Sequence, residues 1–518
     1  MHIAKQSARG SVVLFSGNVL AAVIAAAASI IVARLLGPSD FGLFSLSLVM
    51  PSLLQIFTHF GTRTAVTRYV AHHLALGEVE MARRFAQSAM IFSLLVGSVL
   101  AVINYFASNW IATVLFQRPE LAPYIALMSV YLLGQSVILN VIAVATGWYA
   151  MGQASFANIL QSVLKLLLSP ALILLGLGVT GAVLGHSLSF AFGGAFSAIL
   201  LFFTKVKVAR ERLGYLVKDT KEMITFGFAP FIGGLLTGLA TFYVSLLLAA
   251  VTVGHNELVG YYSVAINLTV PLSLLSSATA GALYPAFASL HGLKADTGQA
   301  FAMSLKYVSY LVGPVIFFLM AASTDLLYTF YGPSFVPGSN YLFLLALAYS
   351  PVAFGQAISS SFLLGVGRPR LTFLATGPGA VVLLVMAPLL SVSNGLGVVG
   401  LIIALFASNC TIAGVGLYIV HRYKLGTVSW RPLLGMLSAS LMALLACLVL
   451  PVIGHKIIML GVKMVLFGGI YLTVAPILGA VDDADLDRLS ESIREVPILW
   501  KLLSPLVRYE KALARARR

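Results

Sequence analysis

One lysine stands among amides inside an otherwise apolar run. Lys165 lies in the stretch 156–177, with Asn158 and Gln161 seven and four residues before it and Ser169 four after it. Those spacings bring all four side chains onto one face of a helix. An ammonium group at the centre of a bilayer costs about 2.5–3.5 kcal/mol on insertion scales, so it must face protein or a wet cavity. A cation beside two amides, with no acid on the same run, suits an anionic ligand. The other reading of such a residue is a lysine that hydrogen-bonds the backbone carbonyls of a neighbouring helix.

Other polar groups fall in comparable runs. Ser45, Ser52, Gln55 and His59 share one face of the second run, 41–60, and Arg34 closes the first run where it could meet the same anion from the outer side. His186, Ser189, Gly193 and Ser197 form a small-residue face typical of helix packing in membranes. His186 is read there as a hydrogen-bonded packing residue, not as a proton relay. Lys463, about two turns into the last run, can snorkel outward. Cys410 and Cys447 both read as small packing residues.

The carboxylates are as informative. All 17 acidic residues lie in loops, tails or the ends of runs. Cation- or proton-coupled exporters use Asp or Glu inside the membrane as the ion-binding or relay group, and no run here carries a central one. The chain has no Gly-rich phosphate loop of the Walker type and no His/Cys metal spacing. The sequence therefore implies no cofactor, no metal and no enzyme.

The elements that must hold these groups are membrane helices. Of 518 residues, 59% are hydrophobic and only 9% charged, against about 25% charged in soluble domains. Mean hydropathy is +0.98. A spanning helix needs roughly 20 mainly apolar residues. About fourteen runs qualify: 11–34, 41–60, 86–107, 121–146, 156–177, 181–203, 225–248, 259–283, 304–322, 339–363, 371–391, 397–420, 432–453 and 457–480. The first is too long for the apolar core of a signal peptide. The fold class is all-α and polytopic.

The net charge of +15 has a topological explanation and requires no nucleic acid. Connectors alternate between short, nearly uncharged ones and basic ones, the latter including Arg63, Arg68, Arg83, Arg84, Lys205, Lys207, Arg210, Arg212, Lys218, Lys221, Arg368, Arg370, Arg422 and Lys424. All but five of the 32 Lys and Arg fall on the side of the basic connectors and the tails. The positive-inside rule makes that side cytoplasmic, with both termini on it. The tail 481–518 opens with acids and closes with bases. Leu499, Leu502, Leu503 and Leu506 would form the apolar face of a surface-lying helix there; a solvated tail is the other reading.

The pattern repeats. Phe41-Gly-Leu-Phe-Ser-Leu opens the second run with Pro51 following, and Val259-Gly-Tyr-Tyr-Ser-Val opens the eighth with Pro271 following. Two units of six helices each share one orientation and would be related by an axis along the membrane normal. The expected architecture is two pseudo-symmetric six-helix lobes around a central cavity, residues 1–224 and 225–431. Two appended helices (432–480) and a cytoplasmic tail (481–518) complete it.

The stretch Val32-Ala-Arg-Leu-Leu-Gly-Pro-Ser-Asp-Phe-Gly-Leu-Phe-Ser resembles the junction of helices 1 and 2 in the polysaccharide transporter family, the Wzx-type flippases of the multidrug/oligosaccharidyl-lipid/polysaccharide superfamily. Gly147-Trp-Tyr-Ala-Met-Gly-Gln, Val259-Gly-Tyr-Tyr-Ser-Val-Ala and Tyr331-Gly-Pro-Ser-Phe are further similarities. The resemblance implies a flippase that moves polyprenyl-diphosphate-linked oligosaccharides between leaflets of the cytoplasmic membrane. Its partners would be that lipid-linked sugar, membrane lipids and a polysaccharide polymerase machinery. Lys165, Gln161 and Asn158 would meet the anion, with Arg34, Gln55 and His59 as further contacts. The family often carries an Asp in helix 7; Ala240-Thr-Phe-Tyr-Val-Ser-Leu-Leu-Leu has none. A lipid II flippase and a cation-coupled multidrug exporter are the alternatives of the same transporter class.

Overall fold

A computed structural model describes residues 2–207, 213–293, 296–451, 455–494 and 497–516. Arg210 and Arg212 lie outside them, and the side chains of Leu499, Leu502 and Leu503 are not described. Among the described residues the chain is helical, with no strand. It divides into two compact units, Met1–Gly260 and Tyr261–Arg518.

The first unit contains α1 (His2–Ser47), α2 (Val49–Phe57), α3 (Thr62–Ala75), α4 (Val79–Trp110), α5 (Ala122–Gly147), α6 (Met151–Leu172), α7 (Gly178–Leu201), α8 (Leu216–Val251) and the start of α9 (Asn256–Gly292). The second holds the rest of α9, α10 (Thr297–Ala321), α11 (Ser323–Tyr331), α12 (Ser339–Pro351), α13 (Ala357–Gly365), α14 (Pro369–Pro388), α15 (Gly397–Arg422), α16 (Trp430–Val449), α17 (Lys456–Ile477), α18 (Asp483–Arg494) and α19 (Pro497–Ala516).

Twelve segments among the described residues are long and apolar enough to cross a membrane. This makes the chain a multi-pass membrane protein. The expected number is about fourteen. The difference sits in the two longest segments, Val12–Phe57 and Met151–Val206, of 46 and 56 residues. Each joins two of the runs read from the sequence across a kink. Gly37 (φ 76°) before Pro38 breaks the first. Gly176 and Gly178, both at positive φ, break the second. Only glycine takes such a conformation without steric cost.

Helices in lipid gain little from burying apolar surface against one another, so close packing of small residues and hydrogen bonds hold them. The first unit shows both. Gly134 of α5 lies on the backbone of Phe190 and Ala191 of α7, and Gly185 of α7 on Ser169 of α6. Asn104 of α4 donates to the carbonyl of Ile125 (2.7 Å) and to Ser129 Oγ (3.0 Å), joining α4 to α5. Large side chains such as Phe106 and Phe203 point outward from the helices, where lipid covers them. Cys447 is buried as expected, but Cys410 is exposed on α15 and is no core residue.

Two ends of α8 are tied into the same unit. At its first turns, Asp219 is 2% exposed and accepts from Arg84 Nη2 of α4 at 3.1 Å. At its far end, Arg118 is equally buried. Its guanidinium donates to the carbonyls of Ala249 (2.9 Å) and Thr252, to Thr252 Oγ1 (3.0 Å) and to Asn256 Oδ1 (2.7 Å).

In the second unit the tail folds. α18 and α19 pack on each other, and α19 packs on α17. Lys306 of α10 pairs with Asp485, whose carboxylate also accepts from Tyr307 Oη at 3.1 Å. Tyr310 Oη of α10 donates to Glu510 Oε1 at 2.5 Å, and Val507, Glu510 and Ala514 are buried. Leu506, read from the sequence as part of an apolar face, is exposed. The solvated-tail reading is thus set aside. Lys463 does not snorkel freely: its ammonium reaches Asp325 Oδ2 at 2.7 Å and the carbonyl of Ala321 at 2.9 Å.

Candidate functional site

The stripe on α6 forms, and its members look to two neighbouring helices. Asn158 Nδ2 donates to Asn18 Oδ1 of α1 at 2.9 Å. Gln161 Nε2 donates to Ser189 Oγ of α7 at 3.1 Å, and that hydroxyl in turn donates to the carbonyl of His186 at 2.7 Å. Asn18, Asn158, Gln161 and Ser162 line an open cleft of about 260 Å³, floored by Ala21, Ala22 and Ala25 of α1. The alanines leave the space that larger residues would fill.

Lys165 follows one turn beyond Gln161. It is half-buried, and no acceptor or carboxylate among the described residues pairs with it. The carbonyl-bonded lysine considered from the sequence is therefore not what the structure shows. Ser169, one turn further, is buried with its hydroxyl unpaired. The stripe thus presents amides bonded across to α1 and α7 at one end and an uncompensated cation beyond them.

His186 packs as expected but lacks the expected hydrogen bond. It is 6% exposed, and neither ring nitrogen has a hydrogen-bond partner. Rings of Phe44, Tyr131 and Phe190 surround it at centroid distances of 5.8, 5.1 and 5.1 Å.

Gln55 and His59 are not brought to that stripe. The spacing argument assumed an unbroken helix over 41–60, but α2 ends at Phe57 and the chain turns through Phe60 (φ 40°) and Gly61 (φ 83°). Gln55 Nε2 donates to Thr58 Oγ1 at 3.0 Å, while its Oε1 is buried without a partner. His59 Nδ1 accepts from the Gly61 N–H at 3.2 Å. The helix carrying Gln55 packs chiefly on α5 and α8. Arg34 is exposed on α1, one turn before the Gly37 kink.

Sequence reasoning left Arg118 without a role and missed the buried pairs Asp219–Arg84 and Asp325–Lys463. Each acid stands at the end of a helix, where spacing alone reads as a solvated terminus.

Residues 7–291 match the family described as polysaccharide biosynthesis protein. Stage V sporulation protein B of Bacillus subtilis is 25% identical over 450 residues, covering 77% of this chain and 83% of that protein. Among solved structures, the lipid II flippase MurJ in an inward closed conformation aligns with a TM-score of 0.67 at 14% identity. It covers 90% of this chain and 98% of its own. An inward-facing multidrug resistance MATE family transporter of the MOP superfamily aligns with a TM-score of 0.63 at 20% identity, over 80% of this chain and 98% of its own. The fold is that of these transporters.

Proposed function

Because this chain belongs to the polysaccharide biosynthesis protein family, we propose that it is a flippase for a polyprenyl-diphosphate-linked oligosaccharide, the repeat unit of a surface polysaccharide. The observation that supports this most is Lys165: a membrane cation without a counter-ion, beyond a row of amides. A buried charge needs a partner, and a diphosphate or an acidic sugar supplies one. Gln161 and Asn158 offer the amide groups that sugars hydrogen-bond. Arg34 serves as an outer contact for the same anion, and Gln55 and His59 as separate polar contacts around the break after α2.

In this reading the membrane is the cytoplasmic one and both termini lie on its inner face. The helices group as lobes 1–224 and 225–431, with 432–480 appended and 481–518 as a cytoplasmic tail. The lipid-linked sugar passes on to a polymerase machinery, and no chemistry is performed on it. An anion leaving a cell that is negative inside gains about 2.3 kcal/mol per charge per 100 mV, which can drive export without a coupled cation.

The test is a clean deletion, followed by analysis of surface polysaccharide and lipid-linked intermediates. Loss of polymer with the diphosphate-linked glycan retained on the cytoplasmic face is the expected result. Unchanged glycans with altered drug tolerance would favour a multidrug exporter instead. The buried carboxylates argue against that exporter, because Asp219 and Asp325 are each already paired with a cation. A lipid II flippase is a second reading, favoured by the MurJ alignment over 90% of the chain; essentiality of the gene for growth would select it.

A further inference from the structure

A groove opens between α4 and α8 and shares no residue with the stripe on α6. The two helices are pinned together where Arg84 pairs with Asp219 at 3.1 Å and Tyr215 Oη donates to Gln87 Oε1 at 2.8 Å. Two turns further along, α8 leans on the turn before α3 instead: a Cβ on Gly227 would stand 2.2 Å from the carbonyl oxygen of Gly61. Beside this stretch of α8 lies a groove of about 500 Å³. Ile91, Phe92 and Leu95 of α4 form one wall, and Leu216, Val217 and Ile224 of α8 the other. Val217 and Leu95 are 80% and 62% exposed, so the groove is open along its length.

Its mouth is basic. Lys221 and Thr225 also line an adjoining cleft of about 470 Å³, together with Lys218, Tyr69 and Phe226. Thr225 Oγ1 donates to the carbonyl of Lys221 at 2.8 Å, which leaves the ammonium groups as the free donors there. Arg68 of α3 lies over the Phe226 ring at 4.3 Å. Lys218, Lys221 and Arg68 are exposed, and none has a carboxylate partner among the described residues. Glu222 is the one acid among the lining residues.

An apolar slot with cations at its mouth complements a phospholipid, chain in the slot and phosphate on the ammonium groups. A lysine that merely snorkels needs water and no slot beside it. Basic pockets between membrane helices on the cytoplasmic side hold anionic headgroups, and the distribution of Lys and Arg reads this side as cytoplasmic. From Ser88 to Leu95 the α4 wall rises about 10 Å, the length of part of one acyl chain. We propose that the α4–α8 groove binds an anionic phospholipid of the surrounding bilayer, with an acyl chain between the helices and its phosphate at Lys218 and Lys221. The lipid is a standing partner and not the cargo. It braces α4 and α8 just beyond the Arg84–Asp219 pair, and the site is independent of any role of Lys165.

The experiment compares two headgroups. The purified full-length protein, stripped of lipid in detergent micelles, is titrated with phosphatidylglycerol and with phosphatidylethanolamine of the same acyl chains. Bound lipid is read by native mass spectrometry. The wild type should bind phosphatidylglycerol about tenfold more tightly, as attraction to one or two lysines supplies. Lys218→Gln/Lys221→Gln should erase that preference and keep weak binding of both lipids. Leu95→Trp, which fills the slot, should weaken both. All three positions are exposed, so these changes leave the packed interior intact. Equal affinity of the wild type for the two lipids, or a preference that survives the lysine substitutions, overturns the proposal. So does displacement of phosphatidylglycerol by an equal concentration of a polyprenyl phosphate, which assigns the groove to a prenyl chain. A protein dimer that Leu95→Trp disperses also overturns it, by assigning the groove to a second copy.

Discussion

Gly42 and Gly260 meet back to back. A methyl group on Gly42 would run into the carbonyl oxygen of Asn256, and one on Gly260 into that of Pro38. Each glycine follows, by four residues, the residue whose carbonyl the other glycine touches. The two glycines stand at matching places in Phe41-Gly-Leu-Phe-Ser-Leu and Val259-Gly-Tyr-Tyr-Ser-Val. The contact is reciprocal.

Alanine at either glycine overpacks a backbone contact, which costs about 1–3 kcal/mol. Gly42→Ala and Gly260→Ala should each lower the thermal midpoint in detergent. Because they crowd one contact, the double variant should cost less than the sum of the two. Additive losses would mean that the two sites do not share a contact.

Lys165→Ala should abolish or strongly reduce polymer export at equal protein level, and Lys165→Arg should retain more of it, since the charge persists. Export assays in a deletion strain, with the protein quantified in membranes, check this. Unchanged export in Lys165→Ala would remove Lys165 from the site.

Arg118→Ala removes a donor from the carbonyl of Ala249 and from Asn256 Oδ1, while the Thr252 carbonyl keeps the His255 N–H at 2.9 Å. Each unsatisfied buried group costs about 1–3 kcal/mol. The variant should be among the most destabilised single substitutions in the protein. Thermal unfolding in detergent reads this; a midpoint within error of the wild type would show that water replaces the guanidinium.

Asp325→Asn should destabilise the second unit by about 3–5 kcal/mol, because it leaves the Lys463 ammonium without its counter-charge; Lys463→Met should cost less, because Lys456 still stands 3.7 Å from the Asp325 carboxylate. The double variant Asp325→Leu/Lys463→Met should recover much of that loss. A double variant worse than either single one would show that the pair itself is required.

Burial of Glu510 pushes its carboxyl up to about 7, against the opposing hydrogen bond from Tyr310. A carboxyl raised in the docked state holds its proton there more firmly than in a released tail. Its contribution to docking is therefore complete below the ordinary carboxylate range and fades as pH rises from about 4.5 to about 7. Amide exchange or protease access at α19 should increase over that window. Glu510→Gln should flatten the dependence, and an unchanged pH profile in that variant would locate the switch elsewhere.

The membrane helices were legible because hydropathy reports them almost directly: the runs 86–107 and 397–420 lie inside Val79–Leu115 and Gly397–Arg422. The stripe of Asn158, Gln161 and Lys165 was legible because α6 is unbroken across it. The face through Gln55 and His59 was not, because a turn at Gly61 interrupts the period on which the inference depended. Buried ion pairs escaped for a different reason. Asp219 and Arg84 are 135 residues apart, and nothing in either one's local sequence names the other. The tail lay between these cases: its acids and bases were visible, but only the docked helices reveal that Asp485 and Glu510 meet Lys306 and Tyr310.

The two anchors of α8 make it a beam held at both ends. Asp219 fixes one end to α4, and Arg118 fixes the other through Ala249 and Thr252. Between them lie Pro230, Gly233, Gly234 and Gly238. Proline removes a backbone hydrogen bond and glycine stiffens nothing, and Gly233 and Gly234 have open space where a side chain would be. A load on this helix cannot swing it as a rod about one end. It must bow, and the curvature gathers at the midspan.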